Sequence, residues 1–313
     1  MTMETVCVVL PAYNEQGALG QLIPKIFETL VASGVRPSVC VVDDGSTDGT
    51  FEWVLNLRKS DERIQIIQLS RNFGHQAALL AGLRNISADA VVMMDADGQH
   101  PVSALTEMIA TWRNGCDVIN TVPEAGGQSG LFRRSAGRGF YYLFRLLTGL
   151  PLAEGMSDFR LLNRKAHNAT LEAVGKRPFL RGTTAWIGLK QASVSYAMNE
   201  RSHGRRKYTI RLLLSLARDG IVSFSNRPLL IVASLGAAWS LLVGIYASVF
   251  IAIEIATGRG VPGWVSIVAI LSTMQGLIFV MMAVLGAYIG SVHNEVVGRP
   301  TYVIQESSLP KLG

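Results

Sequence analysis

The sequence contains few cysteines. Its 313 residues include three, Cys7, Cys40 and Cys116, which are far apart and odd in number. This count excludes a scaffold held together by disulfides, and the spacing does not match a cysteine zinc site. Each cysteine lies in a stretch that resembles a strand, so we expect reduced core residues in a cytoplasmic domain.

Two further signals are missing near the amino terminus. Met1 to Glu4 carry no basic region, and the chain enters an apolar run at Val6, which excludes an ordinary signal peptide. No glycine-rich phosphate loop follows this run, because Tyr13 and Glu15 stand where its glycines would be. Dinucleotide-dependent hydride transfer and P-loop ATP hydrolysis are therefore disfavoured.

Charged residues are scarce near the carboxyl terminus, in two apolar segments. Leu229 to Ala256 and Trp264 to Val292 each exceed the roughly 20 residues that cross a bilayer. Arg218, Arg227 and Arg299 flank their outer ends, whereas the connector is nearly uncharged. By the positive-inside rule we expect a multi-pass protein of the inner (cytoplasmic) membrane whose large segments lie in the cytoplasm. The net charge of +6 then suits a membrane surface and not nucleic acid.

Strand-like and helix-like stretches alternate in the amino-terminal part. Strands are predicted at 6–10, 39–43, 64–69, 90–95 and 117–121, and helices at 18–33, 50–59, 76–85 and 103–114. This alternation predicts a doubly wound α/β fold with parallel strands and crossover helices. We expect an α/β domain over 1–130, a region with amphipathic helices at the membrane interface over 131–228, transmembrane helices over 229–292, and a cytoplasmic tail over 293–313 that returns to the soluble domain.

Each of the first four predicted strands ends in a polar cluster. The clusters are Pro11 to Glu15, Asp43 to Asp48, Arg71 to Gly74 and Asp95 to Asp97. All fall at the carboxyl edge of a parallel sheet, where open α/β folds bind ligands. Carboxylates there accept ribose hydroxyls and base N–H groups, and Gly45 and Gly74 allow close backbone approach. The pattern predicts a nucleotide site.

Some residues of these clusters also suit purely structural roles. Asp43 or Ser46 is a candidate cap for the helix that starts near Thr50, and Asn14 is a candidate cap for the helix near Ala18. These roles are compatible with ligand binding.

The fourth cluster has the residues of a cation site. Asp95 and Asp97 follow a buried strand, and residues i and i+2 of an extended segment point to the same side. Both carboxylates can therefore face one divalent cation, and Gln99 adds a neutral oxygen. Such a cation can bridge two phosphates.

The motifs resemble those of a known family. Pro-Ala-Tyr-Asn-Glu at 11–15, Asp-Asp-Gly-Ser-x-Asp at 43–48 and Asp-x-Asp-x-Gln-His-Pro at 95–101 look like a family 2 glycosyltransferase of the GT-A fold. With Arg201-x-x-Gly204-x-x-Lys207-Tyr208 and the apolar segments, they resemble the polyprenyl-phosphate glycosyltransferases. That group includes dolichyl-phosphate mannose synthases and bacterial undecaprenyl-phosphate glucosyl- and aminoarabinosyltransferases. Arg206 departs from the pattern, because family members often have Ser there.

The resemblance implies inverting, metal-dependent transfer of a sugar, with glucose as the expected one, from a UDP-sugar to the phosphate of undecaprenyl phosphate. The implied nucleotide-binding residues are Pro11, Tyr13, Glu15, Asp43, Asp44, Gly74 and Asp95. Mg²⁺ or Mn²⁺ would be held by Asp95, Asp97 and Gln99, and the catalytic residues would be Asp97, Arg201 and Lys207. Asp158 and Arg160 resemble the segment that lines the sugar and acceptor side, or they form a buried ion pair that holds a loop.

Arginines suit the acceptor side of this reaction. A phosphate acceptor is already anionic near neutral pH and needs no general base, so the protein must mainly hold two polyanions together. In Leu131 to Leu147, Arg134, Arg138 and Arg145 fall within roughly 40° of arc on a helix. We expect this amphipathic helix to lie in the membrane interface with its arginines on the acceptor phosphate. A helix packed on the soluble domain with a solvated basic face is the alternative.

A second amphipathic stretch, Tyr208 to Phe224, follows the basic run Arg201 to Lys207. This run is interpreted as a lid over the diphosphate in which Gly204 allows movement; a solvated or lipid-attracted loop is the alternative. In the second apolar segment, Ala283, Gly286 and Gly290 allow close helix contacts that a homo-oligomer would use.

Three functions compete at this stage. The leading one makes a polyprenyl-phosphate sugar, with a GDP-mannose or aminosugar donor as a variant. A processive polysaccharide synthase would usually show a Gln-x-x-Arg-Trp-type motif and more membrane spans. The third candidate is a non-catalytic nucleotide-binding membrane subunit, which the intact set of carboxylates disfavours.

Overall fold

A computed structural model describes residues 3–124, 145–149, 157–176, 178–197, 225–257 and 263–309. Within these residues, eight strands form one mixed sheet in the order β7-β5-β6-β4-β1-β2-β3-β8. The strands are β1 (Thr5–Ala12), β2 (Arg36–Asp43), β3 (Ile64–Leu69), β4 (Ala90–Met93), β5 (Val118–Pro123), β6 (Arg160–Asn163), β7 (Gln191–Tyr196) and β8 (Ile304–Ser307).

Helices cover both faces of this sheet, because the central strands bury side chains in both directions. Val6, Val8 and Leu10 of β1 face one core, whereas Cys7 and Val9 face the other. The first core is covered by α1 (Gln16–Ala32), α2 (Thr50–Ser60) and α4 (Ala104–Arg113). The second is covered by α3 (His75–Asn85), α5 (Arg164–Ala173) and α6 (Leu180–Trp186). The predicted doubly wound α/β architecture is confirmed.

The helix α3 lies unusually close to the sheet. A Cβ atom on Gly82 would stand 2.4 Å from Cγ1 of Val9 and 3.1 Å from Cγ2 of Val42. Glycine at this position therefore lets α3 pack against β1 and β2. The amino-terminal end of the same helix borders the site described below.

Two strands run against the predicted parallel direction. β6 pairs antiparallel with both β4 and β5, and β8 pairs antiparallel with β3. The sheet is therefore mixed, whereas the alternation of strands and helices predicted parallel strands. The five predicted strands, β1 to β5, are all present and run in the same direction, whereas β6 to β8 were not predicted.

The carboxyl-terminal segment returns to the soluble domain, as expected. Its strand β8 lies along β3, and the flanking backbone continues the pairing: Ser70 N–H donates to the carbonyl of Val303, and Ser308 N–H donates to the carbonyl of Ile66, both at 2.9 Å. Ile304 packs against the second core. The tail thus supplies the edge strand beside β3.

Two long helices precede this strand, α7 (Arg227–Thr257) and α8 (Trp264–Val297). They contain apolar stretches, Arg227–Tyr246 and Ile270–Val297, that are long enough to cross a membrane and are not buried in the structure. Gly236 of α7 packs against Met281 of α8. By length and composition, α7 and α8 are candidate membrane spans. Helix α8 continues past residue 292, where the tail was expected to begin.

Candidate active site

Four loops meet at the carboxyl edge of the sheet, one after each of the strands β1 to β4. Asn14 joins the first two: its side-chain oxygen accepts a hydrogen bond from Thr47 N–H at 2.8 Å, and its own N–H donates to Ser46 Oγ at 2.9 Å. Asn14 has a φ of 59°, a left-handed conformation that Asn tolerates better than most residues. The first two loops are thereby held together.

The expected helix caps are not formed by Asn14, Asp43 or Ser46. Helices α1 and α2 begin after Glu15 and Gly49, and neither of these residues gives a side-chain cap. Asp48 instead accepts a hydrogen bond from Thr50 N–H at 3.0 Å. The capping alternative is therefore wrong for Asn14, Asp43 and Ser46. Asn14 and Ser46 instead join the first two loops, and Asp43 accepts a hydrogen bond within the second loop.

Asp44 and Gly45 join the second loop to the third. The carboxylate of Asp44 accepts hydrogen bonds from Phe73 N–H at 2.7 Å and Gly74 N–H at 2.9 Å. A Cβ atom on Gly45 would lie 2.7 Å from the backbone carbonyl carbon of Arg71, so only glycine fits there. At Gly74 an added Cβ would have nothing within 4 Å. Glycine is required there by its φ of 94°, which side chains with a Cβ rarely adopt.

Asp43 lies beneath these loops and is fully buried. Its Oδ1 accepts a hydrogen bond from Ser46 N–H at 3.1 Å, and its Oδ2 has no partner among the described residues. Burial raises the pKa of this carboxyl above its usual value, although the bonds from Ser46 oppose the change.

A cavity of about 180 Å³ opens between the loops. Its lining residues are Pro11, Ala12, Tyr13, Glu15, Asp44, His75, Asp95, Ala96 and Asp97. Six of the residues predicted from the sequence are thus brought together: Pro11, Tyr13, Glu15, Asp44, Asp95 and Asp97. Asp43, Gly74 and Gln99 stand behind this lining.

Two histidines contact the carboxylate of Asp95. Nε2 of His100 lies 3.0 Å from Oδ2, and Nε2 of His75 lies 3.4 Å from Oδ1. Burial acts to raise the pKa of Asp95, but the hydrogen bond with His100 and the charge of His75 outweigh it and lower the pKa. Asp95 therefore stays ionised at neutral pH.

Asp97 points into the same cavity and is supported by Gln99. The backbone N–H of Gln99 donates to Oδ1 of Asp97 at 3.1 Å, and its side-chain amide donates to Oδ2. Gln99 is buried. In this arrangement it orients Asp97, and its part as a third cation ligand stays a prediction.

The carboxylate pair fits a cation that is shared with a phosphate ligand. Asp95 and Asp97 open onto one cavity, and among the described residues no group of three or more His, Cys, Asp or Glu side chains has the placement of an all-protein metal site. Mg²⁺ bound with substrate phosphates commonly takes one or two carboxylates, with phosphate oxygens and water as the other ligands.

Asp158 lies beside this pair and is buried. Arg181 donates to it twice, Nε to Oδ1 at 2.8 Å and an Nη to Oδ2 at 2.7 Å, and the amide of Gln76 donates to Oδ2 at 2.9 Å. Burial opposes ionisation, but Arg181 outweighs it and holds the pKa of Asp158 well below its usual value. The buried ion pair was expected with Arg160, and the structure forms it with Arg181.

Arg160 itself lies fully buried behind the site. Its guanidinium donates to the carbonyl of Ser157 at 2.8 Å and to the hydroxyl of Thr184. Burial lowers its pKa to about 10. Arg160 therefore braces the segment that carries Asp158.

Sequence comparison identifies the family of this chain. The Glycosyl transferase family 2 domain matches residues 7–171, a range that includes every cavity residue named above. The chain belongs to glycosyl transferase family 2. It is an enzyme, a glycosyltransferase.

Relatives of this glycosyltransferase match along nearly the whole chain. An uncharacterized glycosyltransferase of Bacillus subtilis (strain 168), YkcC, is 32% identical over 96% of this chain and 93% of its own. The SfII prophage-derived bactoprenol glucosyl transferase of Shigella flexneri is 29% identical over 96% of this chain and 98% of its own.

A solved structure shares the fold. Glucosyl-3-phosphoglycerate synthase from Mycobacterium tuberculosis, in complex with Mn²⁺, UDP-glucose and phosphoglyceric acid, has a TM-score of 0.51 and 20% identity, covering 71% of this chain and 78% of its own. The expected GT-A fold is confirmed.

The sequence interpretation missed three residues of the glycosyltransferase site: His75, Gln76 and Arg181. His75 follows Gly74 directly, and the third polar cluster was ended one residue too early. Gln76 was read as an ordinary helix residue. Arg181 is far from the other motifs in sequence, and only the folded chain shows its pairing with Asp158.

Four of the predicted catalytic and acceptor-phosphate residues, Arg134, Arg138, Arg201 and Lys207, lie outside the described residues, as does the helix predicted over Tyr208 to Phe224. Of the helix predicted over Leu131 to Leu147, the described part is helical over 145–148. Arg145 is exposed at its start, and its carbonyl accepts a hydrogen bond from Gly149 N–H at 2.8 Å.

Proposed function

We propose that this glycosyltransferase moves a sugar, with glucose as the first candidate, from a UDP-sugar to the phosphate of a membrane polyprenol such as undecaprenyl phosphate. The observation that carries the proposal is the cavity at the carboxyl edge, where Asp95 and Asp97 face the same space, in a chain with two membrane-length helices. A relative of matching length named bactoprenol glucosyl transferase supports the same acceptor class.

The donor nucleotide is proposed to lie along the first two loops. Tyr13 is 47% exposed at the cavity, so its ring offers a flat apolar surface to a base. Pro11, Glu15, Asp43, Asp44 and Gly74 complete this side, with Asp44 shaping the third loop through its backbone bonds. The diphosphate then reaches Asp95 and Asp97.

Mg²⁺ or Mn²⁺ held by Asp95 and Asp97, with Gln99, would supply Lewis-acid stabilisation of the leaving diphosphate. An acceptor phosphate oxygen forms the new bond to the anomeric carbon as the bond to the diphosphate oxygen breaks, with inversion at that carbon. No proton has to be removed from the acceptor. Asp158 is therefore not needed as a general base, and both its carboxylate oxygens already accept hydrogen bonds from Arg181 and Gln76.

The acceptor side is proposed to lie toward the membrane. Arg134, Arg138 and Arg145 would hold the lipid phosphate, and Arg201 and Lys207 would close over the diphosphate. Helices α7 and α8 would anchor the enzyme in the inner membrane with its catalytic domain in the cytoplasm. Gly286 and Gly290 on α8 would have nothing within 4 Å of an added Cβ, which leaves room for close contact with a second copy.

The first experiment incubates the purified enzyme with undecaprenyl phosphate and a panel of labelled donors: UDP-glucose, UDP-galactose, a UDP-aminosugar and GDP-mannose. An acid-labile glycolipid is expected with one UDP-sugar in the presence of Mg²⁺ or Mn²⁺. Asp97→Asn is expected to lower turnover by at least about a hundredfold while the protein stays folded, because electrostatic groups of this kind contribute on that scale.

Asp61→Asn is a matched control, because Asp61 pairs with Arg63 on the surface far from the loops. No lipid product with any donor would overturn the proposal and favour a non-catalytic nucleotide-binding subunit. Product formed only with GDP-mannose would support the proposed polyprenyl-phosphate acceptor, but the donor nucleotide would then be GDP and not UDP.

A further inference from the structure

His75 occupies a position between two carboxylates. It is the first residue of α3, it lines the cavity, and its side chain is 42% exposed. Its Nε2 lies 3.4 Å from Oδ1 of Asp95 and 3.5 Å from Oδ2 of Asp158. One imidazole nitrogen thus faces oxygens that belong to two separate segments of the chain.

The other oxygen of Asp95 is held by a second histidine. His100 contacts Oδ2 at 3.0 Å and is itself buried, with ring centroids 4.7 Å from Phe159 and 5.7 Å from Tyr196. The two oxygens of Asp95 therefore each face an imidazole. Contacts on both oxygens restrict rotation of the carboxylate about its Cβ–Cγ bond.

Asp158, the second carboxylate that His75 contacts, is also held in place. Asp158 is bound by Nε and an Nη of Arg181 and by the amide of Gln76, and the carbonyl oxygen of the Gln76 side chain accepts a hydrogen bond from Leu180 N–H at 3.1 Å. Asp158 thus belongs to a framework that joins α3 to α6. His75 connects this framework to Asp95.

We propose that His75 is a positioning residue of the cation site: by bridging the fixed Asp158 to Asp95, it sets the orientation in which Asp95 meets a divalent cation bound with the donor diphosphate. The inference rests on the proposed function, because it takes Asp95 as a cation ligand. Residues that orient a metal ligand typically contribute about 10- to 100-fold to metal affinity.

The test measures Mn²⁺ binding by the disappearance of the free Mn²⁺ signal in electron paramagnetic resonance, with the full-length protein in detergent and saturating UDP. His75→Phe keeps an aromatic ring without a donor, and His75→Asn has an amide too short to span both carboxylates. His75→Gln places an amide N–H near the position of Nε2. His293→Gln, at an exposed position on α8, controls for the loss of an imidazole elsewhere.

We expect Mn²⁺ affinity to fall about tenfold or more in His75→Phe and His75→Asn, and to stay within about threefold of wild type in His75→Gln and His293→Gln. UDP binding without metal, measured by calorimetry, is expected to change less than about threefold in every variant. A purely structural role would instead lower both affinities together.

Wild-type Mn²⁺ affinity in His75→Phe and His75→Asn would overturn this inference and leave the proposed function standing. A loss in His75→Gln equal to that in His75→Phe would also overturn it, because contact of a donor nitrogen with the two carboxylates would then not be the cause. If the wild-type protein binds no Mn²⁺ in the presence of UDP, the cation site fails and the role of His75 fails with it.

Discussion

At the scale of residues, the cavity owes its shape to bonds between loops. The side-chain oxygens of Asp44 and Asn14 accept hydrogen bonds from backbone N–H groups of neighbouring loops. Three chain segments that are separate in sequence are thereby held at fixed distances. A site built this way depends on residues that need not touch the ligand.

Gly45 provides a direct test of this dependence. Gly45→Ala is expected to lower the free energy of unfolding by at least about 3 kcal/mol and to weaken UDP binding, since the left-handed conformation costs about 1–2 kcal/mol for a residue with a Cβ and the added atom would lie 2.7 Å from the backbone of Arg71. Thermal unfolding and calorimetric titration with UDP measure the two effects.

Gly34→Ala is the matched control. Gly34 has a similar φ of 70° but nothing within 4 Å of an added Cβ, so only the conformational cost of about 1–2 kcal/mol applies and UDP binding is expected to be unchanged. Equal destabilisation by the two substitutions would show that the close approach of the loops does not contribute to the free energy of unfolding.

At the scale of elements, β8 is the edge strand on one side of the sheet. An open edge strand presents unpaired backbone groups to other chains. β8 pairs with β3, and the partly buried Ile304 packs against the second core while Gln305 is exposed. The segment after α8 therefore stabilises the catalytic domain.

Ile304→Asp tests this role. A charge at a partly buried core position removes apolar burial and desolvates a carboxylate, so we expect a loss of about 2–3 kcal/mol in the free energy of unfolding and a greater tendency to aggregate. Gln305→Asp introduces the same charge at an exposed neighbouring position and is expected to change the free energy by less than about 0.5 kcal/mol. Thermal unfolding and light scattering measure both effects, and similar values for the two variants would contradict the role.

The elements that the sequence predicts well are those with strong local patterns. β1 to β5 and α1 to α4 are recognisable because apolar runs alternate with amphipathic stretches, and α7 and α8 because their apolar segments are long. β6 and β8 have four residues each, of which at most two are apolar, so neither forms an apolar run like that of β4. Their antiparallel direction is set by tertiary pairing, so no local signal predicts it.

The candidate site shows the same division. Asp95 and Asp97 follow a predicted strand and both line the cavity, although Ala96 and Asp97 lie in a turn and not in the extended backbone that the prediction assumed. The contact of His75 with Asp158, and that of Asp158 with Arg181, join residues from distant segments. Such contacts depend on how α3, α6 and β6 pack, which the order of residues alone does not specify.

At the scale of the whole molecule, the proposed arrangement places the catalytic domain and β8 on the same side of a membrane. The two helices between them form a hairpin, so the connector before Trp264 would lie on the opposite side. This arrangement is measurable with single introduced cysteines.

Gly263→Cys and Gln305→Cys, each in a Cys116→Ser background, are to be labelled in intact spheroplasts with a membrane-impermeant maleimide. Cys7 and Cys40 are buried and free, so they give little background. We expect labelling at position 263 in intact spheroplasts, and at position 305 only after permeabilisation. Labelling of both positions before permeabilisation would contradict the proposed topology.

The pairing of β8 with β3 also bears on how the enzyme is made. Synthesis proceeds from the amino terminus, and domains tend to fold as they emerge. Here the last strand of the sheet is translated after both long helices. The catalytic domain therefore acquires its final strand only after both long helices have been synthesised. In the proposed arrangement, the two helices can then enter the membrane before the sheet is complete.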